Sequence, residues 1–192
     1  MKKRLYVAYG SNLNLEQMKY RCPTAKLYGT GVIEDYELQF KGHPQSAFAT
    51  IAPKDGVSVP VAVWEIQVLD EAYLDHYEGY PSHYFKQDVP VKLDGEEVSA
   101  MVYIMNLKMN FGMPSTQYYR TVHEGYKDCG LDTEILKKAV AESAGQYFSS
   151  VVQNPKNQFC LEQEDKEDYY EEEPEDEDLE EDGQTQNNGM QM

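Results

Sequence analysis

Cysteine is scarce in this chain, and the few present are scattered: Cys22, Cys129 and Cys160 are odd in number, and no CxxC or Cys-His spacing joins them. That pattern argues against a disulfide scaffold and a zinc site, and a reducing, cytoplasmic setting is the natural expectation. Long apolar runs are missing too. The start, Met1-Lys2-Lys3-Arg4, is basic like the first region of a secretory leader, but the apolar run behind it covers only Leu5 to about Tyr9. A leader needs roughly 7 to 15 apolar residues and a membrane helix about 20, so the run reads as a strand and no membrane partner is expected. Bases are the third shortage: 17 Lys and Arg face 34 Asp and Glu, a formal charge of -17. Residues 161 to 182 alone hold 15 of those acids and one base, which leaves 19 acids against 16 bases, or -3, elsewhere. A body so nearly balanced lacks the clustered Lys and Arg that bind phosphate backbones, which argues against a nucleic-acid partner. His43, His76, His83 and His123 have no convincing ligand spacing, so they read as surface or loop residues and no metal is expected.

What remains, 192 residues in all, suits one domain with an appendage. The domain is read as residues 1–153 and the appendage as residues 154–192, a tail too acidic and too poor in apolar side chains to offset its ordering entropy. The tail is expected to be disordered and solvating, with contact to a basic protein as its other reading. Within the domain, Leu5 to Tyr9 is a strand and Leu15 to Tyr20 a short helix, with Asn14 as N-cap and Pro23 closing it. Further strands are predicted at Ala25 to Val32, Tyr36 to Phe40, Ala47 to Ala52 and Val59 to Val68, separated by Gly, Pro, Asp and Lys clusters. Leu69 to Tyr77 switches to helical spacing, with Asp70 as N-cap and Leu69, Tyr73, Leu74 and Tyr77 on one face. Glu78 then stands at or just past that helix's end. Asp94-Gly95 joins two more strands, Phe85 to Leu93 and Glu97 to Met105. Ser115 caps a helix from about Thr116 to Cys129 that Gly130 ends, and a last helix runs from Asp132 to about Phe148. Strands first and helices last favour an α+β fold over an alternating one: a strongly bent or barrel-like, mainly antiparallel sheet with packed helices.

Two segments carry the chemistry. Tyr6-Val7-Ala8-Tyr9-Gly10-Ser11-Asn12-Leu13 is an apolar strand that stops at Gly-Ser-Asn, residue types that favour a tight turn and offer backbone N–H groups to an anion. Leu74-Asp75-His76-Tyr77-Glu78-Gly79-Tyr80-Pro81 supplies one acid, Glu78, among aromatic side chains. Alone, the first is an ordinary turn and the second an ordinary helix-end carboxylate.

Together they resemble the γ-glutamylcyclotransferase family. Its YGSNL signature stands at Tyr9-Gly10-Ser11-Asn12-Leu13, and its Asp followed three residues later by Glu-Gly stands at Asp75-His76-Tyr77-Glu78-Gly79. Ala49-Thr50-Ile51 and Val61-Ala62-Val63-Trp64-Glu65 extend the likeness, which covers roughly residues 5 to 150, and the run Pro114-Ser115-Thr116-Gln117-Tyr118, with Gly125 and Gly130-Leu131 after it, resembles the vertebrate branch more than the short γ-glutamylamine cyclotransferases. The resemblance implies a γ-glutamylcyclotransferase-like fold and a cofactor-free reaction on a small γ-glutamyl substrate. The substrate's own α-amine attacks its γ-carbonyl, forming 5-oxoproline and releasing the free amine. Glu78 would be the general acid/base, its pKa raised by neighbours such as Tyr77, Tyr80, Tyr84 and Trp64. The backbone of Tyr6, Val7, Ala8, Tyr9, Gly10 and Ser11, with Asn12, would hold the α-carboxylate and the developing oxyanion. Tyr103 matches a position that contacts substrate, and Tyr84 and Tyr118 are further matches. A silent carboxylate-binding or protein-interaction module of the same fold is the alternative, and a deprotecting or isopeptide-clearing role a third. The loops Lys41 to Ser46 and Asn106 to Pro114 are expected to face the leaving group.

Overall fold

The fold is described from a computed structural model over residues 3–106 and 108–153; the acidic tail, with the disorder expected of it, lies outside the described residues. Strand β1 (Lys3–Ala8) leads through a 3-10 turn (Ser11–Leu13) into helix α1 (Leu15–Arg21). Strands β2 (Lys26–His43) and β3 (Ser46–Gln67) follow, then helix α2 (Val68–Tyr77), strands β4 (Tyr84–Leu93) and β5 (Glu96–Met105), and helices α3 (Thr116–Asp128) and α4 (Thr133–Gln153). The strands close a barrel in the order β1-β3-β2-β4-β5. Pairing is antiparallel except at β1 and β5, where Tyr6 faces Met101 and Val7 faces Val102 in parallel. Closing the sheet removes its edges, and the apolar side chains gather in one core that includes Val7, Ile33, Phe40, Ile51, Val63 and Met101.

Four strands expected between Ala25 and Val68 are two long ones. The Asp35 and Lys54-to-Gly56 cluster, read as a break, is a bulge: the register steps from Glu34 opposite Ser58 to Tyr36 opposite Pro53. Asp35 takes φ 56°, Gly56 takes φ 73°, and the Asp35 carboxylate accepts the Gly56 N–H at 2.8 Å, so the strands bend there and remain paired. Asp94 and Gly95 both adopt positive φ, as a two-residue hairpin of the expected type requires.

One reading of α2 needs correction. Gln67, not Asp70, is its N-cap; Asp70 sits at the third helical position and accepts the Gln67 N–H at 2.9 Å and the Thr24 hydroxyl at 2.6 Å. A buried carboxylate so placed closes a capping box and ties the turn after α1 to α2. The apolar face is not buried as a face: Leu74 is fully buried, while Leu69 and Tyr73 are 71% and 59% exposed. The helix thus packs by a narrow edge, on Leu74 and Asp70. On the last helix, Ser143 of α4 accepts the Phe40 N–H at 2.9 Å and anchors that helix to β2.

Candidate active site

The turn after β1 is held from two sides. Asn14 accepts the Gln17 N–H at 3.0 Å and starts α1, as expected. Gly125 of α3 lies against the same turn so closely that a Cβ there would stand 2.5 Å from the Asn14 nitrogen. Gly10 leaves room for Tyr118 in the same way: an added Cβ would meet its hydroxyl at 3.1 Å and Ala49 Cβ at 3.3 Å. Across from this turn, α2 ends on Glu78 as its C-cap, and Gly79 takes φ +60°. A side chain at Gly79 would be strained and would stand 2.5 Å from His83 Nδ1. A larger residue would crowd Tyr118 and Ala49 at Gly10 and would be strained outright at Gly79.

A pocket of about 280 Å³ opens between them. Of the residues singled out from sequence, Tyr6, Val7, Tyr9, Gly10, Ser11, Asn12, Glu78, Tyr84, Tyr103 and Tyr118 line it. Ala8 does not; it is packed in the core. Of the neighbours expected around Glu78, Tyr77 and Tyr84 line the pocket, whereas Trp64 is buried in β3 opposite Tyr6 and Tyr80 is outside the lining. The described residues of the loops expected to face the leaving group are absent from the lining as well. They pack on each other: Gly42 donates to the Asn110 carbonyl at 2.9 Å, and Met113 donates to that of Pro44 at 2.8 Å. Phe48, His76, Tyr77 and His83 line the pocket instead.

The motifs meet at Asn12. Its amide Nδ2 donates to Glu78 Oε1 at 3.0 Å and to Tyr6 Oη at 2.7 Å, joining residues 66 apart in sequence. Burial pushes the Glu78 carboxyl from 4.5 up to about 7, against the opposing pull of the Arg21 charge and the Asn12 hydrogen bond. Burial likewise pushes the phenols of Tyr6, Tyr9 and Tyr84 up, with the Glu78 charge adding to it, so they stay neutral donors at ordinary pH. Several hydroxyls are already committed. Tyr9 donates to the Tyr103 carbonyl at 2.6 Å, Tyr84 to the Ala49 carbonyl at 3.2 Å, and Tyr103 to Asp75 Oδ1 at 2.5 Å. Tyr118 accepts the Ala49 N–H at 3.2 Å. Tyr103 thus offers the pocket its ring, while Asp75, itself paired with Lys86 at 2.6 Å, holds its hydroxyl.

Sequence reading missed Ala49, whose peptide clamps Tyr84 and Tyr118, and Arg21, which donates to Asn12 Oδ1 at 2.7 Å and Ser11 Oγ at 3.1 Å. Ala49 gave a partial signal by lying in a strand segment that carried the resemblance. The thiols, set aside from the chemistry, donate to carbonyls: Cys22 to Asp70 at 3.7 Å and Cys129 to Leu13 at 3.3 Å. Burial pushes them up to about 12 and about 11, which keeps them protonated and unreactive. Among the described residues, no three potential metal ligands cluster, and no helix is long and apolar enough to cross a membrane.

The family model described as gamma-glutamyl cyclotransferase, AIG2-like, matches residues 6–126, a span that holds the end of β1, the turn, Glu78 and Tyr118. The chain belongs to that family. It is 31% identical over 160 residues to the gamma-glutamylcyclotransferase of Bos taurus, covering 77% of this chain and 82% of that protein. To the Homo sapiens gamma-glutamylcyclotransferase it is 31% identical over 157 residues, with the same coverage. A solved gamma-glutamyl cyclotransferase superposes with a TM-score of 0.65 at 30% identity, over 72% of this chain and 86% of its own. The barrel and its packed helices are thus those of the family, and the expected α+β class holds.

Proposed function

We propose that the protein is a γ-glutamylcyclotransferase that converts a small γ-glutamyl compound to 5-oxoproline and a free amine, with Glu78 as its acid and base. The observation that carries this reading is the meeting of the two motifs: a carboxyl with a pKa of about 7, hydrogen-bonded to the Gly-Ser-Asn turn, at the wall of an aromatic pocket.

The reaction needs no external nucleophile. A γ-glutamyl chain folded so that its α-amine meets its γ-carbonyl gains an effective molarity on the order of 10⁵ to 10⁸ M. What remains is to move two protons from the α-nitrogen to the departing one. The α-ammonium must lose a proton before its nitrogen can form the new C–N bond, and Glu78 as carboxylate takes it. The carbonyl π pair moves onto oxygen in the tetrahedral intermediate, where the turn's N–H donors and neutral hydroxyls stabilise it. Glu78 then returns the proton to the departing nitrogen as the original C–N bond breaks, and the second proton, left on the ring nitrogen by the attack, passes the same way to the freed amine, which leaves as its ammonium. One group can do both because its pKa lies near neutrality, where neither protonation state is costly to reach; such catalysis is worth about 10² to 10⁴ in rate. The hydrogen-bonded thiols Cys22 and Cys129 support a reducing, cytoplasmic setting.

Glu78→Gln is the test. It keeps the shape and the acceptor oxygen facing Asn12, and removes the ionisable group. We expect 5-oxoproline release from γ-glutamyl amino acids, γ-glutamyl amines or glutathione to fall at least about 10²-fold, with an unchanged circular dichroism spectrum. Equal turnover by the variant would sink the assignment of Glu78, and binding of the panel without any turnover by the native chain would favour the silent module.

A further inference from the structure

We infer that Arg21, outside both sequence motifs and behind the pocket wall, is a positioning residue for the proton transfers: it orients the Asn12 amide so that Glu78 Oε1 is held as an acceptor and Oε2 carries the mobile proton. The inference rests on the cyclotransferase reading.

Arg21 closes α1 on the side that faces the end of α2. Its guanidinium lies 3.7 Å from the centre of the Tyr77 ring, a stacked cation–π contact. From there one nitrogen, Nη1, donates to Asn12 Oδ1 at 2.7 Å and to Ser11 Oγ at 3.1 Å. A guanidinium has N–H donors and no acceptor, so the Asn12 atom facing it must be the carbonyl oxygen. That choice turns the amide nitrogen the other way. Its two hydrogens are then both assigned, one to Tyr6 Oη at 2.7 Å and one to Glu78 Oε1 at 3.0 Å. Oε1 accepts a hydrogen bond whether or not Glu78 is charged, so a proton arriving from the substrate resides on Oε2. The two carboxyl oxygens, equivalent in water, are made different by a residue that need not touch the substrate. The Tyr6 hydroxyl, accepting from Asn12, keeps its own hydrogen to donate.

Arg21 also supplies charge. The phenols facing Glu78 from β1, the following turn, β4, β5 and α3 are Tyr6, Tyr9, Tyr84, Tyr103 and Tyr118, and burial pushes every one of them upward, so they stay neutral. His76 and His83 line the same pocket, so a rate profile alone would not single out the carboxyl. Glu78 itself must be read.

The experiment labels glutamate side-chain carboxyls with ¹³C and follows the resonance that is missing from Glu78→Gln. Arg21→Met is expected to raise its titration midpoint by about one unit, and to lower kcat about 10- to 100-fold with KM changed less than about threefold. Arg21→Lys should bring the midpoint back toward that of the native chain but recover the rate only in part, since an ammonium cannot stack and fork in the same place. A folded Arg21→Met whose midpoint stays put, or whose loss is confined to KM, would overturn the inference. Should the methionine variant fail to fold, Arg21→Gln, which retains a donor and loses the charge, carries the same two outcomes. If the native chain turns over no substrate, the cyclotransferase reading fails, while the carboxyl midpoint still decides whether Arg21 governs Glu78.

Discussion

Between pH 4.5 and 7 the Glu78 side chain ionises in the unfolded chain but remains protonated in the fold, because burial raises its pKa from 4.5 to about 7. A raised pKa gives stability that is complete below the unfolded value and lost as pH climbs through the folded one. Above pH 7 the native protein therefore carries an ionised buried group at a cost of roughly 2 to 4 kcal/mol. Glutamine has no such ionisation. Glu78→Gln is accordingly expected to melt higher than the native chain at pH 8, with the gain shrinking as pH falls and gone by about pH 4.5. A gain that is constant with pH would mean that Glu78 is not the group out of balance. On the role proposed for Glu78, a single residue links activity to instability in the same pH window, and the variant expected to lose catalysis is the one expected to gain stability.

At the scale of elements, α3 has to approach the turn after β1 within backbone contact, and Gly125 is what permits it: an added Cβ would stand 2.5 Å from Asn14 N and 2.7 Å from the carbonyl carbon of Leu13. Those neighbours are main chain and have little freedom to give. Gly125→Ala is expected to cost about 1 to 3 kcal/mol in denaturant unfolding. Gly145, inside α4 with no atom within 4 Å of an added Cβ, is the contrast; Gly145→Ala should stabilise by about 0.5 to 1 kcal/mol. Equal effects at the two sites would refute the packing account. Elements specified by local chemistry were legible in the sequence. The Asn14 and Ser115 caps, the Asp94-Gly95 turn and the Gly130 stop each depend on residues within a few positions. The long β2 and β3 strands were not, since the Asp35 carboxylate accepting the Gly56 N–H converts a turn-like cluster into a bulge only once the strands are paired. Arg21 was hidden for the same reason: nothing in its neighbourhood says that α1 will lie beside the end of α2. Apolar spacing put Leu69, Tyr73, Leu74 and Tyr77 on one face of α2 but could not say which of them would be covered, because that depends on what the helix comes to rest against.

Seen whole, the molecule builds its pocket from chain segments that are remote in sequence. Lys3 pairs with Gln67, Tyr6 with Met101, and Tyr118 reaches Ala49 from α3. The β4–β5 hairpin, which brings Tyr84 and Tyr103 to the pocket, joins β1 through two residue pairs and β2 through Val32 opposite Lys92. Contacts of such long range form late, because loop closure must be met before they contribute. During synthesis, then, neither the first fifty nor the first hundred residues can hold the pocket. The turn and Glu78 emerge early but wait for Tyr118 and the helix that carries it. Catalytic competence should appear as one event near the end of folding: on dilution from denaturant, 5-oxoproline release should return with the slowest phase of tertiary fluorescence and not with early far-ultraviolet signal. Activity recovered ahead of that phase would mean that an open barrel already suffices. A nascent chain released short of α3 would be inert toward the cell's γ-glutamyl compounds, so quality control of this protein and control of its chemistry would be one and the same step.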